Sequence, residues 1–121
     1  MNKKRIIYIQ TSGVDTPERT YATFILAITA VAMGIDATIY FMMKGCTIIK
    51  KGEAEKIKLK GMPSLKEVMN KALKSGVNLR ICEQSCMLLE LKKEDFIESA
   101  KIVGASTLND HILDADAVLC F

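Results

Sequence analysis

The sequence predicts a three-layer α/β/α domain with a five-stranded, mainly parallel sheet. Short apolar segments rich in β-branched residues alternate along the chain with segments of helical periodicity, which is typical of βαβ units. Right-handed crossovers and helices on both faces of the sheet follow from such units. The 121 residues match the length of one domain, so we expect residues 1–121 to form a single fold.

Each predicted strand is short and apolar. Residues 5–10 and 37–43 are runs of β-branched and aromatic side chains, which suit strands buried on both faces. Residues 77–82 alternate apolar and polar positions and end on a cysteine. A weaker signal predicts a fourth strand at 102–105, and an apolar run at 117–121 predicts the last one.

The predicted helices begin and end at recognisable capping residues. Thr16 as N-cap and Pro17 at the first helical position predict a helix that runs to about residue 33 and ends at Gly34. Ser64 and Gly76 bracket the second helix in the same way. The remaining spacing predicts helical segments at 65–74, from Ser85 onward, at 92–100 and at 107–114.

Two segments depart from what a small sheet domain needs. The first helix is apolar over most of its circumference, so we expect its outer face to contact another subunit. The connection 45–61 is lysine-rich and long for a compact domain, which is typical of functional loops. Glu53 and Glu55 interrupt the lysines, so the segment is interpreted either as a solvated loop or as a basic lid that attracts an anion.

Composition excludes several function classes. The net charge of +3, the low aromatic content and the absence of Trp argue against a nucleic-acid partner. No apolar stretch reaches the ~20 residues that cross a bilayer, and the opening residues lack the apolar core of a signal peptide. We therefore expect a cytoplasmic protein, in which cysteines are reduced, reactive or buried rather than joined in a disulfide framework.

Ligands and reactive groups of open parallel sheets gather beyond the carboxyl ends of the strands. This rule selects three groups of residues: Thr11, Ser12 and Gly13 after strand one, Met43 to Cys46, including Gly45, after strand two, and Cys82 to Cys86 after strand three. It excludes Cys120, which is expected to be a small core residue of the last strand. His111, the single histidine, is expected on the surface, and no phosphate loop or nucleophile elbow is present.

Cys82 is the first candidate nucleophile. It lies where strand three passes into a helix, and the free N–H groups at a helix start favour a thiolate. The thiolate is the reactive form in thiol exchange and persulfide formation, whereas Glu83 disfavours it. The alternative is an inert buried cysteine at the end of a strand.

Cys86 lies one helical turn beyond Cys82, so the two side chains are neighbours if both are helical. The spacing C-x₃-C differs from the C-x₂-C of thioredoxin-like redox sites. It is also a weak zinc signal, for which Cys46 and His111 are the other conceivable ligands. A metal half-site, a disulfide, core packing and a working thiol with a helper all remain open on spacing alone.

The order of these features resembles the DsrE/DsrF-like family, in particular the branch once called peroxiredoxin-like. The resemblance covers nearly the whole chain. Its most specific part is Gly-Val-x₄-Cys-x₂-Ser, which begins at Gly76 and ends at Ser85, read with Leu88-Leu89 and Val103-Gly104. Phe41-x₃-Gly45, Met62-Pro63-Ser64-Leu65 and Lys92-Lys-Glu-Asp95 add to it.

The resemblance implies a small sulfurtransferase-like domain that forms homotrimers or hexamers. Its family cysteine corresponds to Cys82, which would take up sulfane sulfur as a persulfide and pass it from a donor protein to an acceptor protein. No metal or organic cofactor is implied. The loops at Ser12, Gly13, Gly45 and Cys46 would line the substrate pocket together with Ser85.

Two departures from the family pattern concern the helix after Cys82. Cys86 stands where the branch usually has Met, and Glu90 stands where it often has Gly. Cys86 is either a resolving thiol or an inert replacement in the core. Two other functions therefore stand beside the sulfur carrier: a non-catalytic oligomeric binding module of the same fold, and a thiol-disulfide redox protein that uses Cys82 and Cys86.

Overall fold

The computed structural model describes residues 3–121 and confirms the α/β fold. The strands are β1 (Arg5–Gln10), β2 (Asp36–Phe41), β3 (Asn78–Cys82), β4 (Ala100–Val103) and β5 (Ala117–Cys120). The helices are α1 (Ala22–Ala32), α2 (Leu65–Ser75), α3 (Glu83–Leu88) and α4 (Ala105–Asp114). All strand pairs are parallel, in the order β4-β3-β2-β1-β5.

The larger core lies between one face of the sheet and helices α1 and α2. It includes Ile39 of β2, Leu79 and Ile81 of β3, Phe24 of α1 and Leu65 of α2, all of which are almost completely buried. Removing each such side chain from water stabilises the fold by about 1.5–3 kcal/mol. This face of the sheet is therefore the main source of stability.

The opposite face carries a smaller core under α4. Leu108 of this helix packs against Ile7 and Ile9 of β1 and against Tyr40 of β2. Strands β3 and β4 contribute to this second core only through Val103, which packs at its border. The three layers are therefore unequal, and α4 covers the β1 side of the sheet rather than the β4 side.

Helix α2 shows the capping that its sequence predicts. The Ser64 hydroxyl accepts a hydrogen bond from the Glu67 N–H at 3.2 Å. Gly76 ends the helix with φ +99°, a left-handed conformation that glycine adopts without a Cβ penalty.

The first helix begins later than its capping residues predict. Residues Pro17–Arg19 form a single 3₁₀ turn, and α1 starts at Ala22. Fully buried Gln10 explains the interruption, because its side-chain N–H₂ donates to the carbonyls of Ser12 and Arg19 at 2.8 and 3.1 Å. The contact with Arg19 engages a carbonyl that a continuous helix would use.

The predicted helix at 92–100 is wrong. Only a 3₁₀ turn forms there, at Lys93–Asp95. The following backbone pairs with the segment after β2 instead, since the Ile97 N–H donates to Ile49 O at 3.1 Å and the Lys51 N–H donates to Asp95 O at 2.8 Å. Strand β4 then begins two residues before its predicted start.

The core position expected for Cys120 is also wrong. Its strand, β5, is an edge of the sheet with a neighbour on one side only, and Cys120 is exposed. Val118 of β5 still packs at the border of the smaller core, whereas Cys120, two residues on, lies in water, which the sequence of β5 does not reveal.

The lysine-rich connection is folded rather than open. Its backbone forms 3₁₀ helices at Met43–Ile49 and Ala54–Lys56. Three of its own side chains, those of Ile48, Ile49 and Ile57, are buried in the larger core. The lysine side chains at 51, 56, 58 and 60 are exposed. Within the described part of the chain, no helix has the length and apolar character that crossing a membrane requires.

Candidate functional site: a thiol cluster at the carboxyl edge of the sheet

The site is built by the chain segments that follow β2 and β3. These strands are neighbours in register, with Phe41 opposite Ile81, so both chains leave the sheet at the same edge. After β2 the chain forms the 3₁₀ helix that contains Cys46, and after β3 it forms α3, which contains Ser85 and Cys86. The two segments contact one another directly.

Ser85 joins the two segments. Its side chain is almost fully buried, and its hydroxyl accepts a hydrogen bond from the backbone N–H of Met43 at 2.8 Å. Met43 has φ +51°, a left-handed backbone conformation that is uncommon for a residue with a side chain. The bond therefore helps to hold a strained residue at the entrance of the site.

Cys46 is a buried structural thiol. It is fully inaccessible, and its Sγ donates to the carbonyl of Phe41 at 3.4 Å. Burial, with smaller contributions from the nearby Cys86 and Cys82, raises the pKa of this thiol to about 12, although a hydrogen bond from Ser85 lowers it. Cys46 therefore stays protonated at neutral pH, which does not suit a nucleophile.

Cys86 packs in the larger core and is 6% exposed. Burial raises the pKa of its thiol, and the neighbouring Cys82 adds to the effect. Cys82 and Cys86 both act on the pKa of Cys46, and Cys82 acts on that of Cys86, so the three thiols are neighbours. Among the residues that the structure describes, they are not grouped closely enough to hold a metal ion; we call them the thiol cluster.

Cys82 is the residue at which β3 passes into α3. It is the N-cap position of α3, is 8% exposed and forms no disulfide. Leu79 and Ile81 of β3 point into the larger core, so alternation along the strand turns Cys82 toward the other face of the sheet, beside Val103 of β4. Cys82 thus differs from Cys46 and Cys86, which belong to the larger core.

Gly13 and Gly45 allow the loops after β1 and β2 to lie against each other. A Cβ atom on Gly45 would lie 1.9 Å from the carbonyl oxygen of Gln10, and one on Gly13 would lie 2.3 Å from that of Lys44. The Val14 N–H also donates to the Thr47 hydroxyl at 3.1 Å. The two predicted glycines therefore shape this edge through close backbone packing.

Ser12 lies on the same loop and is half-buried. Ser12 contributes through its backbone, because its carbonyl oxygen accepts a hydrogen bond from the side-chain amide of Gln10. Within residues 3–121, no hydrogen bond joins its hydroxyl to the thiol cluster. The structure thus brings Gly45, Cys46, Cys82, Ser85 and Cys86 together and leaves Ser12 and Gly13 to the adjacent loop.

Sequence reasoning missed Gln10 as an organising residue. Besides its two carbonyl contacts, its side-chain oxygen accepts a hydrogen bond from the Thr23 hydroxyl at 2.9 Å. The side chain thereby ties the loop after β1 to α1. The signal that could have identified Gln10 is its place in the sequence, because it is a polar residue at the end of an otherwise apolar strand.

Exposed apolar side chains surround the cluster. Met43, Met87 and Leu88 are 51%, 74% and 71% exposed. Metal ligands are not grouped here: among the residues that the structure describes, no three His, Cys, Asp or Glu side chains lie together as around an ion. His111 is exposed on α4, where its Nδ1 hydrogen-bonds to the Tyr40 hydroxyl.

The family model of the DsrE/DsrF-like family matches residues 4–121. This chain belongs to the DsrE/DsrF-like family. The resemblance that the sequence motifs indicate is thereby confirmed.

Individual relatives agree with this membership. An uncharacterized protein of Methanocaldococcus jannaschii is 31% identical over 107 residues, which is 88% of this chain but 39% of that protein. The chain thus spans about two-fifths of the length of this relative. The sulfur carrier protein DsrE2 of Allochromatium vinosum is 23% identical over 159 residues and is matched over 98% of this chain and 99% of its own.

The crystal structure of the ychN protein from E. coli has the same fold. It superposes with a TM-score of 0.79 at 18% identity, covering 99% of this chain and all of that one. A protein of unknown function from Methanobacterium thermoautotrophicum superposes with a TM-score of 0.66. Together with the DsrE2 relative, the family match indicates a sulfur-relay family.

Proposed function

We propose that this protein is a sulfur carrier that holds sulfane sulfur as a persulfide on Cys82 and passes it to a partner protein. The observation that carries the proposal is the position of Cys82 at the carboxyl end of β3, at the start of α3. The family's sulfur carrier relative supports the same chemistry.

The other cysteines are less suitable nucleophiles. Burial raises the pKa of both Cys46 and Cys86, so less thiolate forms at these sulfurs at neutral pH. Cys120 is exposed on the edge strand β5, outside the cluster. Cys82 remains the thiol at the expected edge of the sheet whose side chain lies outside the larger core.

The proposed reaction consists of two thiolate displacements. The Cys82 thiolate attacks the outer sulfur of a persulfide, polysulfide or thiosulfate donor, forms an S–S bond and releases the remainder of the donor as a thiolate or sulfite. The acceptor's thiolate then attacks the outer sulfur of the Cys82 persulfide, and Cys82 leaves as a thiolate. Neither step needs a metal, an organic cofactor or an external oxidant.

Cys86 is proposed as an auxiliary thiol. Attack by Cys86 on the inner sulfur of the Cys82 persulfide would release hydrosulfide and leave a disulfide, which a dithiol reductant would have to reopen. The raised pKa of Cys86 makes this a slower step than transfer to an acceptor. Cys86 would therefore act when no acceptor is available.

The proposed setting is a cytoplasmic homo-oligomer, a trimer or hexamer, that meets a sulfur donor and an acceptor protein. Exposed apolar side chains on the outer side of α1 support the assembly, since Ile25, Leu26 and Met33 are 42%, 39% and 69% exposed. Apolar residues left in water on one side of a helix are typical of an interface between subunits.

A binding module of the same fold is the second candidate. It is favoured by the burial of Cys82, which is 8% exposed and must become accessible before it reacts. In that case Cys82 would be incidental to the function.

Intact-mass measurement separates these functions. Reduced protein is incubated with polysulfide or thiosulfate, and we expect a gain of about 32 Da per sulfur atom in the wild type and in Cys86→Ala, but not in Cys82→Ala. Cys120→Ala is the matched control, because it removes a thiol outside the cluster. Absence of an adduct in the wild type with every donor would favour the binding module, and a loss of about 2 Da that needs both Cys82 and Cys86 would favour the redox protein.

A further inference from the structure

A polar groove lies on the α4 side of the sheet, away from the thiol cluster. Its volume is about 240 Å³, and it is lined by Thr38 and Arg80 from the strands and by His111 and Asp114 from α4. The first residues of β1, β2 and β3 also line it, so it lies at the amino ends of the strands. The groove exists because α4 covers β1 and leaves part of β2 and β3 open.

The acidic side chains of the groove already have a cationic partner. Arg5 pairs with Asp36, with 3.8 Å between Nε and Oδ2, and it also contacts the carboxylate of Asp114. The Asn78 side-chain amide donates to the other oxygen of Asp36 at 3.3 Å. These contacts gather Arg5 and both aspartates into one network at the strand starts.

Arg80 is outside that network. It forms no ion pair within residues 3–121, and its Nη1 donates to the backbone carbonyl of Leu79 at 3.0 Å. A guanidinium has five N–H donors, so most of them remain available on a half-buried side chain. Removing an unpaired cation from water costs free energy, which an anionic ligand would offset.

His111 supplies a second donor to the same groove. Its Nδ1 is hydrogen-bonded to the hydroxyl of Tyr40, which is fully buried. Burial raises the pKa of Tyr40 more than the nearby Arg80 lowers it, so the phenol is protonated at neutral pH and can donate to Nδ1. With Nδ1 as the acceptor of this bond, the ring proton lies on Nε2, where it can be donated to a ligand.

We propose that the groove binds a small phosphate-type oxyanion, inorganic phosphate or a phosphomonoester, between Arg80 and His111. The planar guanidinium fork matches two oxygens of such a group, and His111, which lines the same groove, would donate to a third through Nε2. The volume is below the roughly 300 Å³ at which drug-sized sites begin, which suits a small ligand. Arg80 precedes Cys82 by two residues, but the groove opens at the opposite ends of the strands.

The single histidine of the chain makes the test direct. Untagged protein of the 121-residue sequence is titrated with inorganic phosphate at constant pH and ionic strength, and the imidazole proton signals of His111 are followed by NMR. We expect a saturable shift with phosphate and none with added chloride. An unshifted signal up to tens of millimolar phosphate, or a shift with glutarate but not with phosphate, would overturn the proposal.

Two variants of Arg80 and one matched control test the contribution of its guanidinium. Arg80→Gln is expected to weaken phosphate binding by about tenfold or more, and Arg80→Lys by less, because it keeps the charge without the fork. Lys60→Gln carries the same charge change on an exposed side chain outside the groove and should bind like the wild type. Equal weakening by Arg80→Gln and Lys60→Gln would overturn the site.

Further measurements identify the class of ligand and separate the groove from the proposed Cys82 site. Tighter binding of glycerol 3-phosphate than of inorganic phosphate supports a phosphomonoester, and the reverse order supports the free ion. Cys82→Ala should bind phosphate unchanged, so failure of the sulfur-carrier proposal leaves this one standing. Circular dichroism of Arg80→Gln confirms folding, and the wild-type titration decides the proposal if that variant is unfolded.

Discussion

The buried hydroxyl of Ser85 accepts the backbone N–H of Met43 at 2.8 Å. This bond joins the start of α3 to the turn after β2, between two segments that are distant in sequence. It also supports the left-handed backbone of Met43, with φ +51°. This side-chain hydrogen bond therefore adds to the strand pairing and packing that position Cys46 relative to Cys82.

Replacing Ser85 by Ala is expected to lower the free energy of unfolding by about 1 kcal/mol, because one intramolecular hydrogen bond is lost. Urea denaturation followed by circular dichroism measures the change. Ser106→Ala is the matched control, since Ser106 is exposed on α4. A Ser85→Ala variant as stable as Ser106→Ala would contradict a structural role for the bond.

Gly45→Ala is expected to be strongly destabilising, by about 3 kcal/mol or more, because its Cβ would lie 1.9 Å from the backbone carbonyl oxygen of Gln10. Gly104→Ala is the control, since the nearest atom to its added Cβ is 4.0 Å away. The control should change stability by about 0.5 kcal/mol or less. Thermal unfolding of both variants makes the comparison, and similar midpoints would show that the two loops separate easily.

Cys46 predicts a loss of stability at alkaline pH. Its folded pKa is about 12 against 9.0 for a free thiol, so the unfolded chain releases this proton first as the pH rises. The contribution of the protonated Cys46 thiol to the free energy of unfolding is complete below about pH 9. It falls between pH 9 and 12, by on the order of 1 kcal/mol per pH unit.

Unfolding free energies measured from pH 8 to 10.5 should therefore decrease less steeply in Cys46→Ala than in the wild type. The comparison of slopes is needed because Cys86, Tyr8 and Tyr40 also have raised pKa values and contribute in the same range. Cys120→Ala, which removes an exposed thiol, is the control. Identical slopes in the wild type and Cys46→Ala would refute the prediction.

If subunits associate through the outer side of α1, lysine substitutions on that side should dissociate the oligomer. Ile25→Lys and Met33→Lys place an ammonium at exposed apolar positions, where burial against a second subunit would cost free energy. Light scattering should detect a smaller mass for both variants than for the wild type. Leu113→Lys, on an exposed position of α4, should leave the mass unchanged, and a monomeric wild type would rule out the assembly.

Much of the fold was predictable because it depends on neighbours in the chain. Caps at Ser64 and Gly76 and the spacing between them specify α2, and apolar runs specify β1 and β2. The family motif around Cys82 and Ser85 was readable for the same reason, since its residues lie in one short stretch from Gly76 to Ser85. These features can be predicted without knowing which segments of the chain pack against them.

The errors arose where a distant segment competes for the backbone. Residues 92–100 have helical spacing, but their N–H and carbonyl groups pair with residues 49–51. Cys120 has the sequence surroundings of a core residue, but β5 is the sheet edge. Neither the partner of a backbone group nor the order of the strands is encoded within a short window.

By itself the sequence determined the alternation of strands and helices, and it predicted the carboxyl edge of the sheet as the site and Cys82 as its nucleophile. The tertiary structure decided that Cys46 is a buried thiol, that Gly13 and Gly45 serve backbone packing and that Arg80 faces a groove beside His111. The physical reason is that periodicity and capping are local, whereas burial, pKa and the pairing of charges depend on which strands and loops become neighbours.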